Sequence, residues 1–207
     1  MEETKDIAPR LLISFVVDNS ASVSGELLGE MMRGFRALAE KTPDYLEWEL
    51  LTFDTMAPAV AKPFSAKEIA PVQDGRFALL GRAVNTAASR LMARMDALRK
   101  EGVTAYRPWM FVLSGGFTVD TMEEVVAQLD AMERCEELMY LPFKLSDKLT
   151  TERLQCMDRS KHMIEILPGK MDGFFEFLAR IIEQRAALAP DTGIKFSKTD
   201  FEGWAVL

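Results

Sequence analysis

The stretch LLISFVVDNSASVSG, residues 11–25, decides the fold. Its first eight residues form a nearly continuous apolar run, which is typical of a strand buried on both faces of a parallel sheet. The rest of the chain alternates between short apolar runs and longer segments whose apolar residues recur every three or four positions. This alternation predicts an α/β fold: a single doubly wound, mostly parallel, Rossmann-like sheet with helices on both faces.

The predicted elements follow one another without a linker or an internal repeat. Proline and glycine residues crowd the stretch 55–77, where we expect a short edge strand and a long loop. The domain is expected to occupy residues 10–190, after an N-terminal extension (1–9) and before an apolar tail (191–207) that packs on the domain or on a partner. The predicted strands are 11–18, 47–54, 109–114, 137–143 and 163–167, and the predicted helices are 25–41, 80–98, 121–134, 147–157 and 171–188.

Composition narrows the class of protein. The 207 residues are 48% hydrophobic and 28% charged, which is ordinary for a globular domain and excludes a disordered chain. The net charge of −7 argues against broad binding to nucleic acids or anionic membranes, because phosphate groups would repel the average surface.

No apolar run approaches the ~20 residues of a membrane helix, and the acidic N-terminus lacks the basic region of a signal peptide. Two cysteines, Cys135 and Cys156, are expected to be buried free thiols, so the sequence predicts a cytoplasmic protein.

The loop after the first predicted strand carries the side chains that point most directly to a binding site. Asp18, Ser20 and Ser22 place one carboxylate and two hydroxyl groups at the carboxyl end of a strand. This end forms the functional crevice in doubly wound sheets, and such hard oxygen ligands suit Mg²⁺ or Mn²⁺. The alternative is that the serines only cap the next helix, through Ser22 or Ser24.

The sequence contains no glycine-rich nucleotide loop, nucleophile elbow or zinc spacing, and the single histidine, His162, is expected to be a surface or satisfied residue.

Asp-x-Ser-x-Ser at the end of the first strand resembles the metal-ion-dependent adhesion site of the von Willebrand factor A domain. Later segments resemble that family in the same order: LLTFDTMA (50–57) its second strand with a trailing aspartate, and GRFALLGRAV (75–84) its glycine-rich turn into a helix. YRPWMFVLSGGFTVD (106–120) resembles the strand and loop with its last acidic ligand. The Tyr-Arg-Pro lead-in is similar to the bacterial branch found in tellurite-resistance-type operons. The resemblance covers about residues 10–190. It implies binding of protein partners at the metal-site edge, in a bacterial stress response with kinase- or phosphatase-linked partners.

Two metal-ligand positions that the resemblance implies hold residues without a side-chain oxygen. Ala78 stands where the family has a threonine. Gly115, preceded by Ser114, stands where it has an aspartate. One carboxylate and two hydroxyls remain, so binding of Mg²⁺ or Mn²⁺ is expected to be weak or absent. Asp54 and Asp120 follow strands at the same edge and are the carboxylates that could substitute.

We therefore expect a non-enzymatic protein-interaction module that binds its partner at this edge with weak or no dependence on metal and without a firmly predicted cofactor. Arg76 could pair with Asp18 and supply the missing positive charge, or it could be solvated. Two alternatives stay open: a metal-dependent hydrolase or phosphatase that uses Asp18, and a structural subunit that binds through its methionine-rich helices. The expected partner-binding residues are Asp18, Asn19, Ser20, Ser22, Arg76, Ser114 and Gly115, and Asp18, Ser20 and Ser22 are the weak metal ligands, if a metal binds.

Overall fold

A computed structural model gives the structure of the chain and describes residues 8–23, 25–54, 57–73, 75, 78–116, 118–145, 163–190 and 192–207. Arg76, Cys156, His162 and the helix expected at 147–157 lie outside the described residues. The elements considered below all belong to the described part of the chain.

One sheet organises the molecule. The described strands are β1 (Leu11–Asp18), β2 (Leu46–Phe53), β3 (Ala59–Lys62), β4 (Trp109–Ser114), β5 (Met139–Lys144), β6 (Ile164–Ile166) and β7 (Ala205–Val206). They lie in the order β3-β2-β1-β4-β5-β6-β7. The inner pairs are parallel, whereas β3 and β7 pair antiparallel at the two edges. The prediction of a mostly parallel α/β sheet is confirmed.

Helices cover both faces of the sheet and complete two hydrophobic cores. The helices are α1 (Glu26–Glu40), α2 (Leu80–Lys100), α3 (Glu123–Arg134) and α4 (Met171–Ala186). The helices α1 and α4 pack on one face, and α2 and α3 pack on the other. The inner strand β1 is buried along its whole length, and its Phe15 ring stacks on Phe111 of β4 at 5.5 Å. Because β1 lies between β2 and β4, Asp18 at its end is flanked by neighbouring strands at the carboxyl edge.

The C-terminal tail joins the same sheet and core. A short 3-10 helix, Lys198–Phe201, precedes β7, which pairs with β6. The side chains of Phe201 and Trp204 are buried, and the Trp204 indole N–H donates to the carbonyl of Asp200 at 2.9 Å. Val206 remains half exposed. The sequence did not predict β7, because a two-residue strand has no recognisable periodicity.

The structure bears on the expectations about the cysteines and about membrane-spanning helices. Cys135 is exposed, so the expectation of a buried thiol is wrong at that position. It directly follows the last residue of α3, beyond the apolar stripe that ends at Met132. No described helix is both long enough and apolar enough to cross a membrane.

Candidate functional site

The carboxylate of Asp18 joins the ends of two neighbouring strands. Since β1 and β4 are paired in parallel, Asp18 and Ser114 end side by side at the carboxyl edge. Asp18 Oδ2 accepts hydrogen bonds from Ser114 Oγ and from the backbone amide of Gly115, both at 3.0 Å. Asp18 Oδ1 accepts from the backbone amide of Ser20 at 2.9 Å. Asp18 and Ser114 are fully buried. We call this group of Asp18, Ser20, Ser114 and Gly115 the Asp18 cluster.

The serines of the loop after β1 bond to each other rather than to helix α1. Ser20 Oγ and Ser22 Oγ lie 2.8 Å apart, with Ser20 buried and Ser22 exposed. The N-cap position of α1 is Gly25, which has a φ of 74°. The alternative that Ser22 caps this helix is not supported, because Gly25 is the N-cap residue and the Ser22 hydroxyl bonds to Ser20. Ser24 lies outside the described residues.

Asn19 ties the loop to its neighbours inside the protein. Its backbone amide donates to the carbonyl of Phe53 at 3.3 Å, and its carbonyl accepts from the amide of Gly75 at 2.6 Å. Its side-chain amide donates to the carbonyl of Gln73 at 2.8 Å. Asn19 is only 7% exposed. The residue therefore lies beneath the surface, and a partner at this edge would not contact it directly.

A second set of hydrogen bonds, which sequence reasoning missed, attaches the loop after β4 to the start of α2. The buried Thr118 hydroxyl accepts from the amide of Leu80 at 3.1 Å and donates to the Asp120 carboxylate. The Asp120 oxygens accept from the amides of Gly81 at 3.2 Å and Arg82 at 2.8 Å. Asp120 thus caps α2 and complements the positive end of its dipole. No local signal reveals this cap, because it comes from 38 residues further along the chain.

The remaining predicted positions lie around this edge. Asp54 is half-buried and packs against Gly75, where an added Cβ would lie 2.2 Å from the Asp54 Cβ. Ala78 is fully buried, and its carbonyl accepts from the amide of Val119 at 3.0 Å. The pairing of Arg76 with Asp18 falls outside the described residues. Of the two substitute carboxylates, Asp120 is committed to capping α2.

The donor set does not fit the divalent cation that the resemblance implies. Mg²⁺ needs near-octahedral oxygen ligation and normally takes one or two carboxylates. Here both oxygens of Asp18 already accept hydrogen bonds from the protein. Ala78 offers a methyl group and Gly115 a hydrogen. Among the described residues, no group of three or more His, Cys, Asp or Glu side chains is arranged to hold a metal ion.

Charged side chains are also buried beneath α2 and at the β3 edge of the sheet. Glu49 on β2 is fully buried and accepts from Ser14 Oγ at 2.9 Å and from Arg90 Nε at 2.8 Å. Burial raises the pKa of Glu49 despite these donors. Lys62 on β3 donates to the carbonyl of Trp48 at 2.6 Å and lies 4.1 Å from the centroid of that indole. Burial lowers the pKa of Lys62 to about 8. These groups hold elements together rather than face the carboxyl edge.

Comparison with known proteins identifies the fold. No family model matches the sequence, and no curated protein matches it. The crystal structure of the SpRpn10 VWA domain is 12% identical and aligns over 91% of this chain and 100% of its own, with a TM-score of 0.54. Manganese-loaded TRAP protein from Plasmodium vivax is 9% identical over 75% of this chain and 65% of its own, with a TM-score of 0.55. Proximal thread matrix protein 1 from the mussel byssus is 16% identical over 86% and 45%, with a TM-score of 0.52. The chain therefore has the fold of a von Willebrand factor A domain.

Proposed function

We propose that this chain is a non-enzymatic protein-interaction module that binds its partner at the carboxyl edge of the sheet, with weak or no dependence on metal. The Asp18 cluster carries the proposal, because it joins the loops after β1 and β4 through buried hydrogen bonds. Loops fixed in this way form a surface that loses little conformational entropy when a partner binds. The likeness of the fold to VWA domains supports the same function.

The exposed side chains at this edge support a docking surface. Val119 is 52% exposed and lies on the loop that follows β4. Ser22 is exposed on the loop that follows β1. The neighbouring Glu123 and Glu124, in the first turn of α3, are also exposed. An apolar side chain with polar and acidic neighbours suits a partner that presents an apolar residue next to cationic groups.

A hydrolase that uses Asp18 has less support. A nucleophilic carboxylate must reach its substrate, but Asp18 is fully buried and both of its oxygens accept protein hydrogen bonds. The nearest hydroxyl, Ser114 Oγ, donates to that carboxylate and is equally buried, so the pair offers no exposed nucleophile. Hydrolysis of p-nitrophenyl phosphate with Mn²⁺, abolished by Asp18→Asn, would favour the enzyme instead.

A structural subunit that binds through methionine-rich helices also has less support. Such a surface needs exposed methionines, which adapt to varied partners. The buried helical methionines include Met31, Met32, Met95, Met132 and Met171. These side chains fill the two cores and are not available to a partner.

The biological setting that we propose rests on the sequence resemblance alone. The Tyr106-Arg107-Pro108 lead-in to β4 is the feature that is similar to the tellurite-resistance-type branch. From it we propose a cytoplasmic role in a bacterial stress response, with a kinase- or phosphatase-linked partner. Co-purification of such a partner from the organism that encodes this chain tests the setting independently of the docking surface.

Two valines with matched exposure test where the partner docks. Val119 at the carboxyl edge is 52% exposed and Val206 on β7 is 53% exposed. The partner is first captured on the immobilised wild-type chain in EDTA and identified by mass spectrometry. Dissociation constants are then measured with the purified partner for Val119→Glu and Val206→Glu.

The proposal expects Val119→Glu to weaken binding at least ~10-fold, as for a residue near the centre of an interface. Val206→Glu is expected to leave the dissociation constant within about twofold, as for a residue outside the interface. The opposite result would move the contact to the C-terminal tail and refute docking at the carboxyl edge. Unchanged binding in both variants would also refute it and would point to the helix faces.

A further inference from the structure

Asp18 is a buried negative charge that the protein itself compensates. Three donors converge on its two oxygens: the Ser20 amide at 2.9 Å, and the Ser114 hydroxyl and Gly115 amide at 3.0 Å each. These three bonds satisfy most of the acceptor capacity of the carboxylate from within the protein. Asp18 Oδ2 already accepts two of these bonds, so a cation that approached it would have to displace a donor, and a displaced buried donor is costly.

The loop that begins at Ser20 also fills the space next to Gly115. A Cβ at position 115 would lie 2.7 Å from Ser22 Oγ and 3.0 Å from Val23 Cγ2. Val23 is 1% exposed and its amide donates to the carbonyl of Ser20 at 2.9 Å, so the loop is anchored in the core. A side chain at position 115, including a carboxylate, would require the Ser22 hydroxyl to turn away and the Val23 side chain to shift. The packing therefore disfavours the ligand that the family resemblance places there.

We infer that the Ser114 hydroxyl and the Gly115 amide take the place that a divalent cation holds in a von Willebrand factor A adhesion site, so that the Asp18 cluster joins the two loops without metal. The inference concerns the same edge as the proposed function, and it deepens that function by assigning what holds the edge together. It makes the structure of the edge independent of Mg²⁺ and Mn²⁺ and dependent on the Asp18 carboxylate.

Thermal unfolding of the chelator-treated full chain tests the absence of a metal requirement. MgCl2 and MnCl2 are added to 1 mM, and NaCl of equal ionic strength serves as the control. The inference expects the Tm to stay within about 1 °C of the control. A site with a Kd of ~10 μM would raise the Tm of a chain of this size by about 5–10 °C at that concentration. A rise of that kind, lost in Asp18→Asn, would overturn the inference.

Hydrogen exchange in EDTA tests the role of the carboxylate. The amides of Ser20 and Gly115 are expected to be protected without metal, and Asp18→Asn is expected to speed their exchange at least ~10-fold by opening the two loops locally. Asp96→Asn, which alters an exposed carboxylate near the C-terminal end of α2, is the control and should leave both amides unchanged. Unprotected amides in the metal-free wild type would refute the inference, even if Asp18→Asn does not fold.

Failure of the proposed docking surface and failure of the metal-free cluster give different results. Protected amides and a metal-independent Tm, together with no effect of Val119→Glu on partner binding, would refute the docking surface and keep the metal-free cluster. A metal-dependent Tm would refute the cluster's independence from metal and leave the docking surface to be judged by its own variants.

Discussion

Lys62 is a buried charge whose effect on folding can be measured as a function of pH. It is 3% exposed on β3, where its ammonium group donates to the carbonyl of Trp48 and lies against the face of the indole. Burial disfavours the charged form and lowers the pKa to about 8 from 10.5, although nearby Glu49 and Glu47 act in the opposite direction. The lysine is therefore charged at neutral pH in a place that favours the neutral amine.

The direction of the pH effect follows from proton binding. Between pH 8 and 10.5 the unfolded chain keeps the Lys62 proton while the folded chain has lost it, so stability rises with pH across this window. A difference of about 2.5 pKa units corresponds to roughly 3 kcal/mol of folding free energy. The buried charge destabilises the folded state by this full amount below pH 8, and the destabilisation disappears by pH 10.5. Lys62→Met removes this titration and keeps an apolar stem of similar length.

Urea unfolding followed by tryptophan fluorescence measures the effect for the wild type and Lys62→Met at intervals from pH 7 to 10.5. We expect the stability of Lys62→Met relative to the wild type to fall by roughly 3 kcal/mol as the pH rises, because only the wild type gains from deprotonation. Lys67→Met, at an exposed position beyond the same strand, should change stability by less than about 0.5 kcal/mol. A difference between the wild type and Lys62→Met that does not vary with pH would refute the reasoning.

Four further substitutions test the packing and polar contacts. Thr118→Val removes the hydroxyl that accepts from the first amide of α2, and chemical unfolding should show a loss of about 1–3 kcal/mol; an unchanged midpoint would argue against this contact. Gly34→Ala places a Cβ 2.0 Å from the Phe175 ring and should lower the free energy of unfolding by roughly 1–2 kcal/mol. Gly29→Ala in the same helix meets nothing nearer than 3.6 Å and should raise it by up to ~1 kcal/mol, so equal effects would contradict the close α1–α4 contact. Because burial raises the pKa of Glu49, the wild type should lose stability relative to Glu49→Gln as the pH rises from 4 to 7, and a gain would have the wrong sign.

The sequence predicts the layered fold because each layer leaves a local pattern. The run 109–114 lies between Pro108 and the pair Gly115-Gly116, and β4 has the same bounds. The apolar stripe predicted for α2 is buried throughout: Leu80, Val84, Ala87, Leu91, Met95 and Leu98. The spacing of apolar residues and the flanking proline and glycine residues are sufficient to predict these elements. Burial of one face decides both that spacing and the packing of the helix.

Contacts between distant parts of the chain leave no such pattern. Glu49 lies among apolar residues of β2. It accepts hydrogen bonds from Ser14, 35 residues earlier in the chain, and from Arg90, 41 residues later. The strand β7 contributes two residues and is defined by its partner β6. A buried ion pair cannot be recognised before the register of the sheet is known. The four-residue edge strand β3 lies in the stretch 55–77 where the sequence predicts a short edge strand, but the two residues of β7 are too few to show a pattern.

The position of the candidate site could be predicted from the sequence, but the hydrogen-bond donors to the Asp18 carboxylate could not. Asp18 and Ser114 each end a strand, and parallel pairing brings such ends to one edge, so their proximity follows from topology. The alternative that the loop serines cap a helix rested on residue type, whereas the hydroxyls of Ser20 and Ser22 bond to each other. Which donors occupy the Asp18 oxygens depends on side-chain rotamers and on the close approach of Gly115 to Ser22, and neither is encoded in local spacing.

In the metal-free cluster that we infer, glycine at position 115 and independence from a cation are physically linked. Two carboxylates that share a site repel each other, so they need a cation between them or a shared proton. With glycine at position 115 a single carboxylate remains there, and three neutral donors satisfy it. The backbone amide of Gly115 is one of those donors, and the missing Cβ leaves space for the Ser22 side chain. If the cluster that we infer is correct, substitutions at Gly115 should alter the metal dependence of this edge as strongly as substitutions at Asp18.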